Sequence, residues 1–193
     1  MVLFGLSIPS QPRAVFPTLS VMLLLTLIML LPAATLQALK LDRESFVAGE
    51  QLWQLLTGQL VHHDWQHLGL NLLGLLVCWA LFIDQQQGWR RWLGVPLIML
   101  SSSLAQVYFD PQVRFYAGFS GTLYGLFAYC ALTDTLQKRW LGALILIGVC
   151  GKVVYDIFTL PELSGLAFAA HAGGVVAGLS LAFLCKILTL NHS

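Results

Sequence analysis

The sequence predicts an all-α membrane protein: a bundle of six transmembrane helices with an interfacial helical loop between the first and second spans. Composition is the first observation behind this. Of 193 residues, 58% are hydrophobic and 10% charged, and the mean hydropathy of +0.77 lies outside the range of soluble domains. The second is the division of the chain by its charged residues into six apolar stretches, each close to the roughly 20 residues a helix needs to cross about 30 Å of hydrocarbon. Third, these stretches do not alternate in polarity and are about twice the length of a barrel strand, so helices are expected rather than a β-barrel.

Taken in order, the expected spans are 15–37, 65–83, 92–109, 115–134, 140–156 and 163–187. Arg13 precedes the first, whose apolar run is too long for a signal-peptide core, so a span is expected there and not a cleaved leader. Between the first two spans, residues 40–64 form the one long loop. Its Phe46, Leu52, Trp53, Leu55, Leu56 and Leu60 point to short helices lying in the outer interface. Lys152 interrupts the fifth span, and the sixth carries Gly173, Gly174 and Gly178. Neither an internal repeat nor an inverted duplication of the transporter kind is visible, which predicts a single transmembrane domain over 1–193.

Charge position carries more than charge total. A net charge of +1 offers no basic face, which excludes nucleic acid as a partner and leaves the lipid bilayer. Arg13, Arg90, Arg91, Lys138, Arg139 and Lys186 fall on one side of the spans, against Lys40, Arg43 and Arg114 on the other. The positive-inside rule then puts both termini in the cytoplasm, with an outer face that is periplasmic in a bacterium. Cys78, Cys130, Cys150 and Cys185 lie in or near apolar spans without metal-ligand spacing, so buried free thiols are expected, with no metal and no cofactor.

Polar residues inside spans are costly and mark sites, so the chemistry is sought there. Ser120 opens the fourth span within Gly118-Phe119-Ser120-Gly121, and His171 opens the sixth, 51 residues later. At about 1.5 Å per residue both lie in the outer half of the bilayer, as do His67 and Asn71 in the first turns of the second span. Gly121 and Gly125 form a smooth stripe below Ser120, and Gly174 and Gly178 form one beside His171. Two such faces let helices approach closely and bring an imidazole within reach of a hydroxyl. His67 and Asn71, four residues apart, share a helix face and can both donate hydrogen bonds; with the Ser120 amide they suit an oxyanion hole. These residues point to acyl transfer by an activated serine inside the membrane. Plain packing remains the bland alternative: glycine-to-glycine contact with a bystander histidine, and polar glue between helices.

The combined pattern His62-x4-His67-x3-Asn71, Gly118-x-Ser120-Gly121-x2-Tyr124 and Ala170-His171-x-Gly173-x4-Gly178 resembles the rhomboid intramembrane serine proteases. The resemblance covers the chain from the outer loop through the sixth span. It implies Ser120 as nucleophile and His171 as base in a dyad without a carboxylate, with His67 and Asn71 on the oxyanion side. His62 matches a further histidine of that region, and Tyr124 an aromatic that packs on the catalytic imidazole. Trp53-Gln54 departs from a Trp-Arg pair common in the family's first outer loop. The Tyr116 to Gly121 context and Gly148-x3-Lys152 are similar to rhombosortases, which implies membrane-anchored substrates with a carboxyl-terminal Gly-Gly motif, apolar helix and basic tail. The alternatives are a rhomboid protease with other single-span substrates and a non-proteolytic rhomboid-like binding protein. Lys152 and Asp156, four residues apart, read as a local ion pair or as a substrate contact at a gate running through Pro161. His192 is expected to have no chemical role.

Overall fold

The computed structural model describes residues 2–3, 6–7, 12–85, 92–159 and 167–190. Expectations placed on Arg90, Arg91, Pro161, His192 and residues 163–166 lie outside these. The described residues are mostly helical: α1 (Pro12–Ile28), α2 (Ala33–Leu39), α3 (Arg43–Val47), α4 (Gln54–Thr57), α5 (Trp65–Leu81), α6 (Val95–Phe109), α7 (Ser120–Leu136), α8 (Trp140–Thr159) and α9 (Phe168–Leu190). Two antiparallel pairs of two-residue strands accompany them, β1 (Val2–Leu3) with β2 (Leu6–Ser7) and β3 (Leu41–Asp42) with β4 (Phe115–Tyr116).

Among the described residues, two helices have the length and apolarity to cross a bilayer, Trp140–Thr159 and Phe168–Leu188. Three more, Pro12–Ile28, Trp65–Leu81 and Val95–Phe109, are apolar but shorter. At 17 residues, α1 and α5 reach about 25 Å. Large apolar side chains stand uncovered around the outside, among them Leu23 and Leu27 on α1, Ile147 and Phe158 on α8, and Val176 and Phe183 on α9. An apolar belt of this extent is what a protein in contact with hydrocarbon presents.

The first expected span, 15–37, is not one helix. It breaks between α1 and α2 at Pro32, which lacks an N–H and biases Leu31 away from helical backbone. The fourth begins at Ser120 and not at 115, because Phe115 and Tyr116 are drawn into a strand against Asp42 and Leu41. Pairing between residues 73 and 75 apart carries no periodic signal. Elsewhere the start is local: Asp64 caps α5 by accepting the His67 amide at 2.7 Å, and α8 runs without a break through Lys152.

Loop 40–64 is built around Gln54, a residue the sequence reading passed over as a departure. Its buried amide donates to the Ala38 carbonyl at 2.9 Å and accepts from the Asp42 amide at 3.0 Å, fixing α4 under β3. Arg114 secures the same loop through Asp42 at 3.3 Å and Glu44 at 2.9 Å. Of the four thiols, Cys78 and Cys130 are buried, but Cys150 is half-buried and Cys185 exposed. The expectation of burial fails for these two because hydrocarbon, not protein, accepts an apolar side chain on the outside of such a bundle.

Helices α7 and α9 lie at the centre, their glycine stripes face to face. A methyl group on Gly174 would overlap the backbone of Gly121, and one on Gly178 the backbone of Gly125. Gly173 faces α6 in the same way, where Ser101 donates to its carbonyl at 2.8 Å. Backbone-to-backbone packing of this closeness sets the separation of whatever the first turns of α7 and α9 carry.

Candidate active site

Ser120 and His171 are those first-turn residues. The serine Oγ and the histidine Nε2 are 2.9 Å apart, with His171 buried and Ser120 half-buried. If Nε2 is the acceptor, the other ring nitrogen carries the proton, and that atom, Nδ1, is buried without a hydrogen-bond partner among the described residues. The ring is held by stacking instead: Tyr124, one turn below Ser120, lies on it at 4.3 Å between centroids and 14° between planes.

The chain entering α7 is pinned from three directions. Gly118 adopts φ +138°, a region L side chains rarely enter, and a Cβ there would also collide with the His67 ring. Its amide donates to the Gly58 carbonyl at 3.0 Å, and its carbonyl accepts the Tyr116 hydroxyl at 3.0 Å. The Phe119 amide points at His62 Nε2 across 3.4 Å. His62 must be neutral to accept there, and burial pushes its imidazole down to about 3, so it is uncharged at neutral pH. Its Nδ1, which then holds the proton, is buried without a partner among the described residues.

His67 and Asn71 border the same cavity of about 480 Å³ as Ser120 and His171. His67 stands edge-on to His62 at 5.1 Å and stacks on His63 at 5.9 Å. The Asn71 amide donates one N–H back to the His67 carbonyl at 3.1 Å, which leaves a second N–H for the cavity. Thus Ser120, His171, His67 and Asn71 line one space, Gly118 and Tyr124 shape it, and His62 and Gly121 sit behind it. Among the described residues no cluster of three or more His, Cys, Asp or Glu could hold a metal ion.

Residues 49–187 match the Rhomboid domain. The chain belongs to the rhomboid family. Rhomboids are membrane-integral proteins, generally intramembrane serine proteases acting on membrane-protein substrates within the bilayer, and some rhomboid-like proteins are inactive. Among curated proteins, this rhomboid is similar to RHOMBOID-like protein 6, mitochondrial, of Arabidopsis thaliana, at 28% identity over 79% of this chain and 50% of that protein. It is also similar to Rhomboid-related protein 2 of Mus musculus, at 29% over 69% and 48% respectively. An uncharacterised protein of Mycobacterium leprae matches at 24% over 86% of this chain and 69% of its own length. The chain spans about half the length of the two relatives named as rhomboids.

Sequence reading missed a buried polar network behind the rhomboid cavity. Gln59 donates to Ser102 at 2.9 Å and Ser103 at 3.0 Å and accepts from Thr122 at 2.9 Å, all four fully buried. It ties the loop after α4 to α6 and to the first turn of α7. Gln106 adds a second tie, accepting the Ala170 amide at 3.1 Å and donating to Asp110 at 2.9 Å. The one signal available was the run Ser101-Ser102-Ser103 inside an apolar stretch.

Proposed function

We propose that this rhomboid is an intramembrane serine endopeptidase in which Ser120 is the nucleophile and His171 its general base. The observation that carries the reading is the 2.9 Å contact between Ser120 Oγ and His171 Nε2 at a cavity formed by α5, α7 and α9. In the first step His171 Nε2 takes the Ser120 proton as Oγ attacks the scissile carbonyl. The oxyanion that forms is held by the Ser120 amide, by His67 and by the spare N–H of Asn71; losing one such donor costs about 100- to 1,000-fold in rate. His171 then returns the proton to the leaving amine, and water or another nucleophile releases the acyl group. Gly118 opens the backbone for the substrate, and Tyr124 keeps the imidazole plane fixed.

The fold that accompanies this reading is a single domain over 1–193 with six spans, both termini cytoplasmic and the cavity open to the periplasm of a bacterial inner membrane. Supporting it are the apolar belt and the six-to-three distribution of basic residues. The substrate class is membrane-anchored proteins with a carboxyl-terminal apolar helix of the Gly-Gly type, as in rhombosortases; glycines ease the unwinding that exposes a peptide bond. Its support is the resemblance of the Tyr116 to Gly121 context and of Gly148-x3-Lys152.

Intact mass of the purified protein after treatment with a fluorophosphonate tests the dyad. One adduct is expected in wild type and none in Ser120→Ala or His171→Ala. An adduct that persists in Ser120→Ala sinks the assignment; no adduct in wild type moves the protein to the non-proteolytic binding class.

A further inference from the structure

Helix α8 is largely uncovered, and its buried residues are Gly142, Val153 and Asp156. A carboxylate among them is expensive unless paired. Both Asp156 oxygens lie 2.6 Å from Lys152 Nζ, on a side chain that is half exposed while Asp156 is 2% exposed. Such a pair is a poor stabiliser of a fold, because desolvation offsets most of its attraction and apolar residues of like volume do as well. Its placement is more informative. Val149 and Val153, on the helix face that also carries Asp156, pack with Tyr124, Ala172 and Val175. That cluster contains the aromatic stacked on His171 and the residue next to His171.

His171 meets Ser120 and Tyr124 from α7 and shares its cavity with His67 from α5, while Lys152 and Asp156 belong to the α8 face that packs on Tyr124 and Ala172 beside it. Asp156 is the buried carboxylate on that α8 face. The His171 Nδ1 has no hydrogen-bond acceptor among the described residues, so a positive ring has only the surrounding field to stabilise it. We propose that Asp156, held in place by Lys152, is a positioning residue of the dyad: its charge stabilises the imidazolium that forms when His171 takes the Ser120 proton. No proton passes to the carboxylate, which acts through space as a fixed, pre-oriented charge. The role rests on the Ser120–His171 reading above.

The test measures the rate of fluorophosphonate labelling of the purified full-length protein across about pH 5 to 9, where an imidazole changes charge. Asp156→Asn leaves Lys152 as a lone cation beside the ring. Labelling is expected to slow by up to about tenfold, and its pH midpoint to fall by about one unit. In the double variant Asp156→Asn with Lys152→Gln the ion pair is equally lost but the cation is gone, so the midpoint returns toward wild type. Asp156→Glu keeps the charge and the wild-type midpoint. One midpoint shared by wild type, Asp156→Asn and the double variant overturns the proposal and makes the pair a brace for α8. A wild type that takes no label overturns the dyad itself, and this role of Asp156 with it.

Discussion

Helices α8 and α9 are neighbours of similar length and apolarity, yet only 17% of the membrane-length window of α8 is buried against 44% of that of α9. Glycine position makes the difference. On α9, Gly173, Gly174 and Gly178 admit the backbones of α6 and α7 along the helix, whereas on α8 Gly142 meets α7 only at the helix start and Gly148 and Gly151 meet nothing. One helix is therefore fixed to its neighbours along its length and carries the imidazole, and the other is held near its two ends, by Gly142 at one and by Val153 and Asp156 at the other. In a bilayer both are equally soluble, so apolarity says nothing about which is which; the small side chains say it.

The comparison breaks most readily at Gly174. Gly174→Val forces a branched side chain into the Gly121 backbone, and overpacking of this kind costs about 3 kcal/mol or more where backbones must part. Separation of α7 from α9 also pulls Ser120 from His171, so fluorophosphonate labelling is expected to drop by more than about 100-fold. Normal labelling and an unchanged denaturation midpoint in this variant would show that the seam is not rigid.

A smaller effect sharpens the account of the α7 end of that seam. His62 accepts the Phe119 amide only while neutral, and its native value of about 3 lies below the ordinary 6.5. Between these values the unfolded chain binds the proton that the native site refuses. Stability therefore falls as pH drops below about 6.5, by up to about 1.4 kcal/mol per unit from this group. Denaturation midpoints measured from neutral to mildly acid pH should show the decline, and His62→Gln, which keeps an acceptor, should flatten it. An equal slope in the variant assigns the acid sensitivity to other groups.

The smallest effect belongs to α8. Gly148→Ala adds a methyl group into open space and relieves a poor helix former, so a gain of about 0.5–1 kcal/mol is expected with labelling unchanged. A loss comparable to that at Gly174 would mean that α8 packs more closely than its uncovered surface suggests.

What could be read beforehand follows the same division. Ser120, His171, His67 and Asn71 stand out because a polar side chain in an apolar run is conspicuous and helix periodicity fixes its face. The structure brings them around one cavity; their roles are for the labelling experiment to decide. Gln54 was legible only as a departure from a family pattern, and the roles of Gln59 and Gln106 were not legible at all. Gln54 and Gln59 lie in or beside a loop, where a glutamine is unremarkable, and the decisive bonds reach far along the chain: Asp42 to Gln54 over 12 residues, Gln59 to Ser102 over 43 and Ala170 to Gln106 over 64. The break at Pro32 was legible in the proline itself but lost inside a uniformly apolar run, and the strand that delays α7 to Ser120 depends on a partner far upstream.

That strand pair has a consequence for the order in which the molecule is assembled. Leu41 meets Tyr116, whose hydroxyl orients Gly118, so the wall of the cavity closes between segments on either side of α5 and α6. Contacts so distant in sequence form after local helices have already shortened the loop between them. A chain emerging during synthesis thus holds both strands of this wall by the time its serine appears, and acquires a working site only when His171 and the rest of the bundle are in place.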